Sequence, residues 1–299
     1  MEKVISASVP AHICSLLHSG ETGEILLVTS SGIYLRLGEE VLLLCDESWG
    51  ILPIGIGVPD FGKAVSLLRP QPGQPVTVWE NCFMFPSGKI CLVPQDSAYG
   101  TVYGMEPKAS HILQAAKELA ALRKVRGISM LVMPLVLGCG MEDALRQNPY
   151  CAIGHTYFSK LMIALEHDDR CEIRGCVEKL LGLGPGLTPS ADDVLLGMIY
   201  VFRALPRKAP EGAQQFLEDI RKLCDRCTTR ISASYLKAML EGAPFERMEQ
   251  VFRGICGEQP LNIQTLTQIG SSSGSEMLLG MLIALRICGY DLWVKEELQ

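Results

Sequence analysis

Short alternating apolar runs fill the first third of the chain. Residues 25–30, 33–37 and 41–45 are separated by Ser30-Ser31-Gly32 and Gly38-Glu39-Glu40, a pattern that predicts an antiparallel meander. Three more runs, 76–79, 82–85 and 90–93, are divided by Glu80-Asn81 and by Pro86-Ser87-Gly88-Lys89. Between the two groups, Pro53, Pro59, Pro70, Pro72 and Pro75 rule out long helices. The expected product is a small β barrel or sandwich-like domain.

The period changes after residues 95–108, where Gly100, Gly104 and Pro107 suggest a linker. Apolar residues then recur with helical spacing over 112–125, 156–166, 172–181, 214–227 and 231–240. The sequence therefore predicts an α+β chain. Residues 1–105 form the small β-rich domain and residues 106–299 a larger, mainly α-helical one. The densest apolar stretches, 131–137 and 194–205, are broken by Pro134 and Arg203 and are too short to span a bilayer. The first ten residues lack a basic segment followed by an apolar one, so a cytoplasmic protein with no membrane partner is expected.

Charge narrows the partners. The formal net charge is −6 and the basic residues are scattered, which argues against nucleic acid. A small anion stays open, since a local loop binds one whatever the global charge. The 12 cysteines lie largely in apolar runs, as at Cys14, Cys91, Cys139 and Cys288, where a thiol acts as a small hydrophobe. Cys224-Asp225-Arg226-Cys227 is the one CxxC pair, with no second pair to complete a zinc set. No metal ligands are assigned.

Against this background residues 182–197 stand out, reading Gly-Leu-Gly-Pro-Gly-Leu-Thr-Pro-Ser-Ala-Asp-Asp-Val-Leu-Leu-Gly. A loop of three glycines and two prolines runs straight into an apolar helix carrying Asp192 and Asp193 in its first turn. Such a loop can present backbone N–H groups, including those of Gly184 and Gly186, to an anion at a helix start. What precedes it has helical spacing rather than that of a buried strand, and no Gly-Lys-Ser/Thr follows. It is therefore neither a Rossmann turn nor a Walker A loop.

The segment has a partial echo. Ser190-Ala-Asp-Asp-Val-Leu-Leu-Gly-Met198 aligns, at an offset of 83 residues, with Ser273-Gly-Ser-Glu-Met-Leu-Leu-Gly-Met281. Each has a serine, an acid three positions on (Asp193, Glu276), and then Leu-Leu-Gly-Met. Both read as capping boxes, with Gly197 and Gly280 letting two apolar helices approach closely. Capping explains neither the Gly-Pro-Gly-Leu-Thr-Pro approach nor the extra carboxylate of Asp192. Two helix starts that converge would aim their dipoles at one point, so a ligand site at 182–193 is expected alongside the structural role.

These residues resemble a bacterial family, AllH, associated with a subunit of oxamate carbamoyltransferase in anaerobic allantoin breakdown. Its first block is matched from Gly182 through Gly197. A second, Thr-x-x-Ser-x-x-Tyr-Leu, is met by the segment 228–236, and a third by 270–280, where Glu276 replaces the usual Asp. The resemblance covers roughly the C-terminal 120 residues; the β region matches only in general character.

What the resemblance implies is carbamoyl transfer between carbamoyl phosphate and oxamate in purine catabolism, carried out with partner subunits. Such a reaction needs donors for a phosphate leaving group and for the developing oxyanion. Ser190, Asp192 and Asp193 are the catalytic candidates. Gly184, Gly186, Thr188, Arg230, Ser232, Tyr235, Ser273 and Glu276 are the substrate-binding candidates, with Arg230 as a positive clamp and Tyr235 equally suited to the core. The two aspartates would repel an anion. Capping, orienting an amide N–H, or holding a divalent cation are the three roles open to them. No other cofactor is implied. His155 and His167 are isolated, and no histidine partners a nucleophile as in a Ser-His-Asp hydrolase. The alternative is a non-catalytic subunit or small-anion-binding module of a multi-subunit metabolic complex.

Overall fold

The computed structural model describes residues 4–95, 104–122 and 127–290. These fall into two compact units, the first containing the N-terminal strands together with Ala243–Glu246 and the second the remaining helical chain. Most of the 95–108 segment read as a linker, and the end of the helix expected over 112–125, lie outside the described residues.

The first unit is a closed barrel. Its strands are β1 (Val4–Pro10), β2 (Thr22–Val28), β3 (Gly32–Leu37), β4 (Glu40–Asp46), β5 (Gly55–Val58), β6 (Pro75–Trp79), β7 (Cys82–Phe85) and β8 (Gly88–Gln95), in the order β1-β5-β4-β3-β2-β6-β7-β8. Both hairpin groups form as the sequence suggests: β2, β3 and β4 pair antiparallel in succession, as do β6, β7 and β8. Closure comes from β1, which pairs parallel with β8 and antiparallel with β5. A sandwich is thereby excluded in favour of a barrel. Alternation explains the filling, since Ile33, Leu35 and Leu37 on β3 and Phe83 on β7 are buried and point inward among Val9, Ile25, Leu42, Leu44 and Ile90. Two short helices, α1 (Ala11–Cys14) and α2 (Phe61–Leu68), belong to the same unit. The second fits between Pro59 and Pro70, burying Phe61, Ala64 and Leu68.

The second unit is helical. It comprises α3 (Ala109–Ala121), α4 (Met141–Arg146), α5 (Pro149–Glu166), α6 (Arg170–Leu180), α7 (Ser190–Ala204), α8 (Gly212–Cys227), α9 (Arg230–Glu241), α10 (Glu246–Cys256), α11 (Gln264–Thr267) and α12 (Ser273–Ile287). Among the described residues no helix is long and apolar enough to cross a membrane. Helices α7 and α12 are buried on nearly every face, as their all-round apolar sequences require. They pack on each other through glycine. A Cβ on Gly197 would lie 2.0 Å from the Met277 carbonyl oxygen, and one on Gly280 would lie 1.9 Å from that of Val194. No L side chain fits either place, so the backbones touch directly.

The thiols are distributed as follows. Cys45, Cys151, Cys176, Cys224, Cys256 and Cys288 are buried, whereas Cys139, expected in an apolar setting, is exposed. A tight turn explains this difference: Gly138 and Gly140 flank Cys139, both with positive φ, and lift it out of the preceding apolar run.

Candidate functional site

The loop between α6 and α7 is shaped by its glycines. Gly182, Gly184 and Gly186 all have positive φ (79°, 113° and 113°), conformations that L side chains rarely adopt. Gly182 also lies against the end of α8, where a Cβ would come within 2.4 Å of the Cys227 carbonyl oxygen. Gly184 lies against the start of α7, with an added Cβ 2.8 Å from that of Ser190. The loop therefore folds back onto the helix that it introduces.

The capping boxes expected at Ser190 and Ser273 are not formed. Each serine is the first residue of its helix rather than the residue before it. Neither helix has a side-chain cap at its preceding residue, Pro189 or Ser272. The proline explains the shift at α7: its fixed φ of −56° suits the position before the first turn, but its ring offers no acceptor. The acids freed from capping make tertiary hydrogen bonds instead.

Asp192 is fully buried. One carboxylate oxygen accepts the Gly182 N–H at 2.8 Å; the other accepts the hydroxyls of Ser232 (2.6 Å) and Thr228. A single side chain thus ties the glycine loop to the start of α9. Burial pushes its pKa up, and the three donors, Ser232 first, oppose that shift. A neighbouring contact does similar work, since Thr229 caps α9 by accepting the Ser232 N–H and donates its hydroxyl to the Leu187 carbonyl at 2.5 Å.

Asp193, also fully buried, faces the other way. Its Oδ2 accepts the Thr188 hydroxyl at 3.2 Å, and Ser273 also hydrogen-bonds the carboxyl. The Thr188 and Ser273 hydroxyls lie 3.3 Å apart. Oδ1 has no hydrogen-bond partner among the described residues. Burial, and then the Glu276 charge, push this carboxyl well above the ordinary aspartate range, towards its neutral, proton-donating form. Glu276 is 1% exposed and accepts the Ile128 N–H at 2.9 Å and the Ser272 hydroxyl at 3.2 Å. Gly127, with φ +83°, makes room for it, because a Cβ there would sit 2.0 Å from Oε1.

Three sequence blocks separated by tens of residues therefore meet at one place. Asp192 joins the first to the second, and Thr188 and Asp193 join the first to the third. Beside the junction is a cavity of about 430 Å³ lined by Gly127, Asn148, Tyr150, Pro185, Gly186, Ser271 and Ser272. The backbone N–H groups of Gly186, Leu187 and Thr188, and of Ser271, Ser272 and Ser273, have no backbone acceptor among the described residues. Hydroxyl, amide and backbone donors in such a setting suit a small carboxylate or phosphate.

Of the residues expected at the site, Gly186 is the one that lines this cavity; Ser190, Asp192, Asp193, Gly184, Thr188, Ser232, Ser273 and Glu276 are not among its lining residues. Arg230 is exposed at the first position of α9 and is not among the lining residues. Tyr235 is buried, 7% exposed, in the helical core. Among the described residues no group of three or more His, Cys, Asp or Glu side chains is arranged to hold a metal ion. Asn148, Tyr150, Ser271 and Ser272 were not singled out by the sequence. Asn148 could be read as a helix cap before Pro149, a role it fills by accepting the Cys151 N–H at 3.1 Å. Its second bond, to the Gly127 carbonyl at 2.7 Å, is what places it at the cavity wall.

No solved structure matches this chain. Residues 180–285, which contain the loop, all of α7, all but the last two residues of α12 and all three blocks, match the family described as oxamate carbamoyltransferase subunit AllH, so the resemblance read from the sequence holds over this helical region.

Proposed function

We propose that this chain acts as an AllH-like subunit of a carbamoyltransferase, binding a small anionic substrate at the junction of the three blocks. The observation that carries this reading is the convergence of the glycine loop and the segment ahead of α12 on one cavity, with N–H groups on both that have no backbone acceptor among the described residues. Carbamoyl phosphate, oxamate and inorganic phosphate are all small enough to enter. In this reading Gly186, Thr188, Ser272 and Ser273 supply donors to the ligand. Asp192 acts one step back, holding the loop to Ser232 and Thr228, and Ser190 serves as the surface on which Gly184 packs. Asp193, pushed towards neutrality, no longer opposes an anion as a free carboxylate would, and in its protonated form it can donate a proton.

Carbamoyl phosphate-dependent formation of oxalurate, measured on the purified chain alone and with its partner subunits, tests this. Thermal stabilisation by phosphate and by oxamate is measured in parallel. Stabilisation of the isolated chain that is lost in Thr188→Ala and Ser272→Ala supports the site. Activity in the mixture that survives both substitutions and Ser190→Ala overturns it.

A second reading, a non-catalytic anion-binding subunit, is favoured by one specific feature: Asp192 and Ser190 are consumed by the fold, and no nucleophile–base pair faces the cavity among the described residues. Ligand-induced stabilisation without any effect of Asp193→Asn on turnover in the assembled complex selects that reading.

A further inference from the structure

The barrel carries a pair of thiols that the helical site does not use. Cys82 on β7 and Cys91 on β8 are register partners in an antiparallel pair. Their inward-facing neighbours, Phe83 and Ile90, are buried in the barrel, so alternation places both thiols on the outer face, and both are partly exposed. The Leu92 N–H donates to the Asn81 carbonyl at 2.7 Å. That bond flanks the cysteines and identifies them as a non-hydrogen-bonded pair, the narrow kind with Cα atoms about 4.5 Å apart. Disulfides accept Cα separations of about 4.4–6.8 Å. The two sulfur atoms are 2.7 Å apart, about 0.7 Å longer than a disulfide bond. That is closer than the ~3.5–4.0 Å optimum of two non-bonded carbons, although sulfur is the larger atom.

We propose that Cys82 and Cys91 form a cross-strand oxidation site, closed to a disulfide by a hydroperoxide and reopened by a thiol reductant. One thiolate attacks the peroxide oxygen, giving a sulfenic acid and water; the second sulfur displaces the sulfenic oxygen as a second water, forming the S–S bond. Two thiols are oxidised by two electrons and one hydrogen peroxide is reduced to two waters. No strand has to move, because the register already holds the sulfurs together. Burial, and then the neighbouring Cys91, push the Cys82 thiol up to about 11, so the reactive thiolate is scarce at neutral pH and the reaction quickens as pH rises. The product staples β7 to β8, the strand through which β1 closes the barrel.

The sequence makes the test unambiguous. Trypsin cleaves after Lys63, Lys89 and Lys108, so Cys82 and Cys91 fall in separate peptides, 64–89 and 90–108, each with a single cysteine. The full-length chain is treated with hydrogen peroxide, alkylated and digested without reduction. The expected result is one crosslinked pair joining these peptides, a fall in titratable thiols from the 12 of the sequence to about ten, and restoration of both by dithiothreitol. In Cys91→Ser the crosslink is absent and Cys82 stops at sulfenic acid or beyond; Cys82→Ser gives the mirror result. Crosslinking first through exposed Cys139 or Cys171, or independent over-oxidation of Cys82 and Cys91 in the unmodified chain, overturns the proposal. Circular dichroism of both serine variants confirms that the comparison is made on folded protein.

Discussion

Gly197 and Gly280 lie back to back, each occupying the space against the other helix that a side chain would need: Met277 O faces Gly197 and Val194 O faces Gly280. Gly197 and Gly280, and likewise Val194 and Met277, keep the 83-residue offset found in the sequence, as do Asp193 and Glu276, which interact electrostatically. Equivalent residues thus meet at successive levels, and the two helices run side by side in the same direction. A two-fold-like arrangement of this kind brings the loop ahead of α7 and the segment ahead of α12 to one cavity.

This packing makes a sharp prediction. Gly197→Ala and Gly280→Ala should each cost about 3 kcal/mol, the upper part of the overpacking range, because the atoms in the way are backbone and cannot rotate aside. Gly175→Ala is the control: its site on α6 is open, and alanine there should stabilise by about 0.5–1 kcal/mol. Urea midpoints of the three variants decide the matter. A midpoint for either helix-pair variant within error of the parent would mean that the backbones do not touch.

Asp192 should resist its most conservative replacement. Asn offers one acceptor oxygen in place of two and turns an amide donor towards other donors, so Asp192→Asn should lose about 2–4 kcal/mol. Ser232→Ala should lose about 1–2 kcal/mol. In the double variant the losses should add to less than their sum, by about 1 kcal/mol, since they share a bond. Full additivity would show that the 2.6 Å contact contributes nothing.

Asp193 should behave oppositely. A carboxyl whose folded pKa is raised binds its proton more tightly in the folded state than in the unfolded one. Its contribution is therefore fully present below the unfolded value, near 3.8, and is lost as pH rises through the folded pKa. Asn mimics the protonated form and still accepts from Thr188 and Ser273. Asp193→Asn should remove that loss, leaving a variant as stable as the parent at low pH and more stable as pH rises. Subtracting the stability–pH curves of the two proteins isolates the group. A difference that stays flat above pH 4, or that favours the parent with rising pH, would contradict the raised pKa.

Tyr200 offers a smaller test. Its ring packs edge-on against Phe252, with centroids 5.6 Å apart, while its buried hydroxyl has no partner among the described residues. Burial pushes the hydroxyl's pKa further up. Tyr200→Phe should therefore leave thermal stability unchanged or raise it by up to about 1 kcal/mol. A loss of that size would reveal a hydrogen bond.

Local pattern made much of this architecture legible. The strands of the two hairpin groups and the principal helices of the second unit follow from period-2 and period-3.6 spacing, since each buries one face beside its sequence neighbours. The echo around Gly197 and Gly280 was equally readable, because contact between backbones demands glycine on both sides. Strand β5 was not. Gly55-Ile56-Gly57-Val58 is short and sits among prolines, and it becomes a strand only by pairing with β4 and β1. Helix α10 is likewise not legible in the local pattern, and the capping role that spacing suggests for Ser190 and Ser273 is not the one they fill. Sequence alone thus determined most of the elements, the glycine loop and the close approach of two buried helices, all of which rest on local spacing or steric exclusion. Tertiary structure alone decided the closure of the barrel by β1, the partners of Asp192 and Asp193, and the meeting of Asn148 and Ser272 at one cavity. Those depend on hydrogen bonds between residues far apart in the chain, and no local pattern encodes where a distant donor will come to rest.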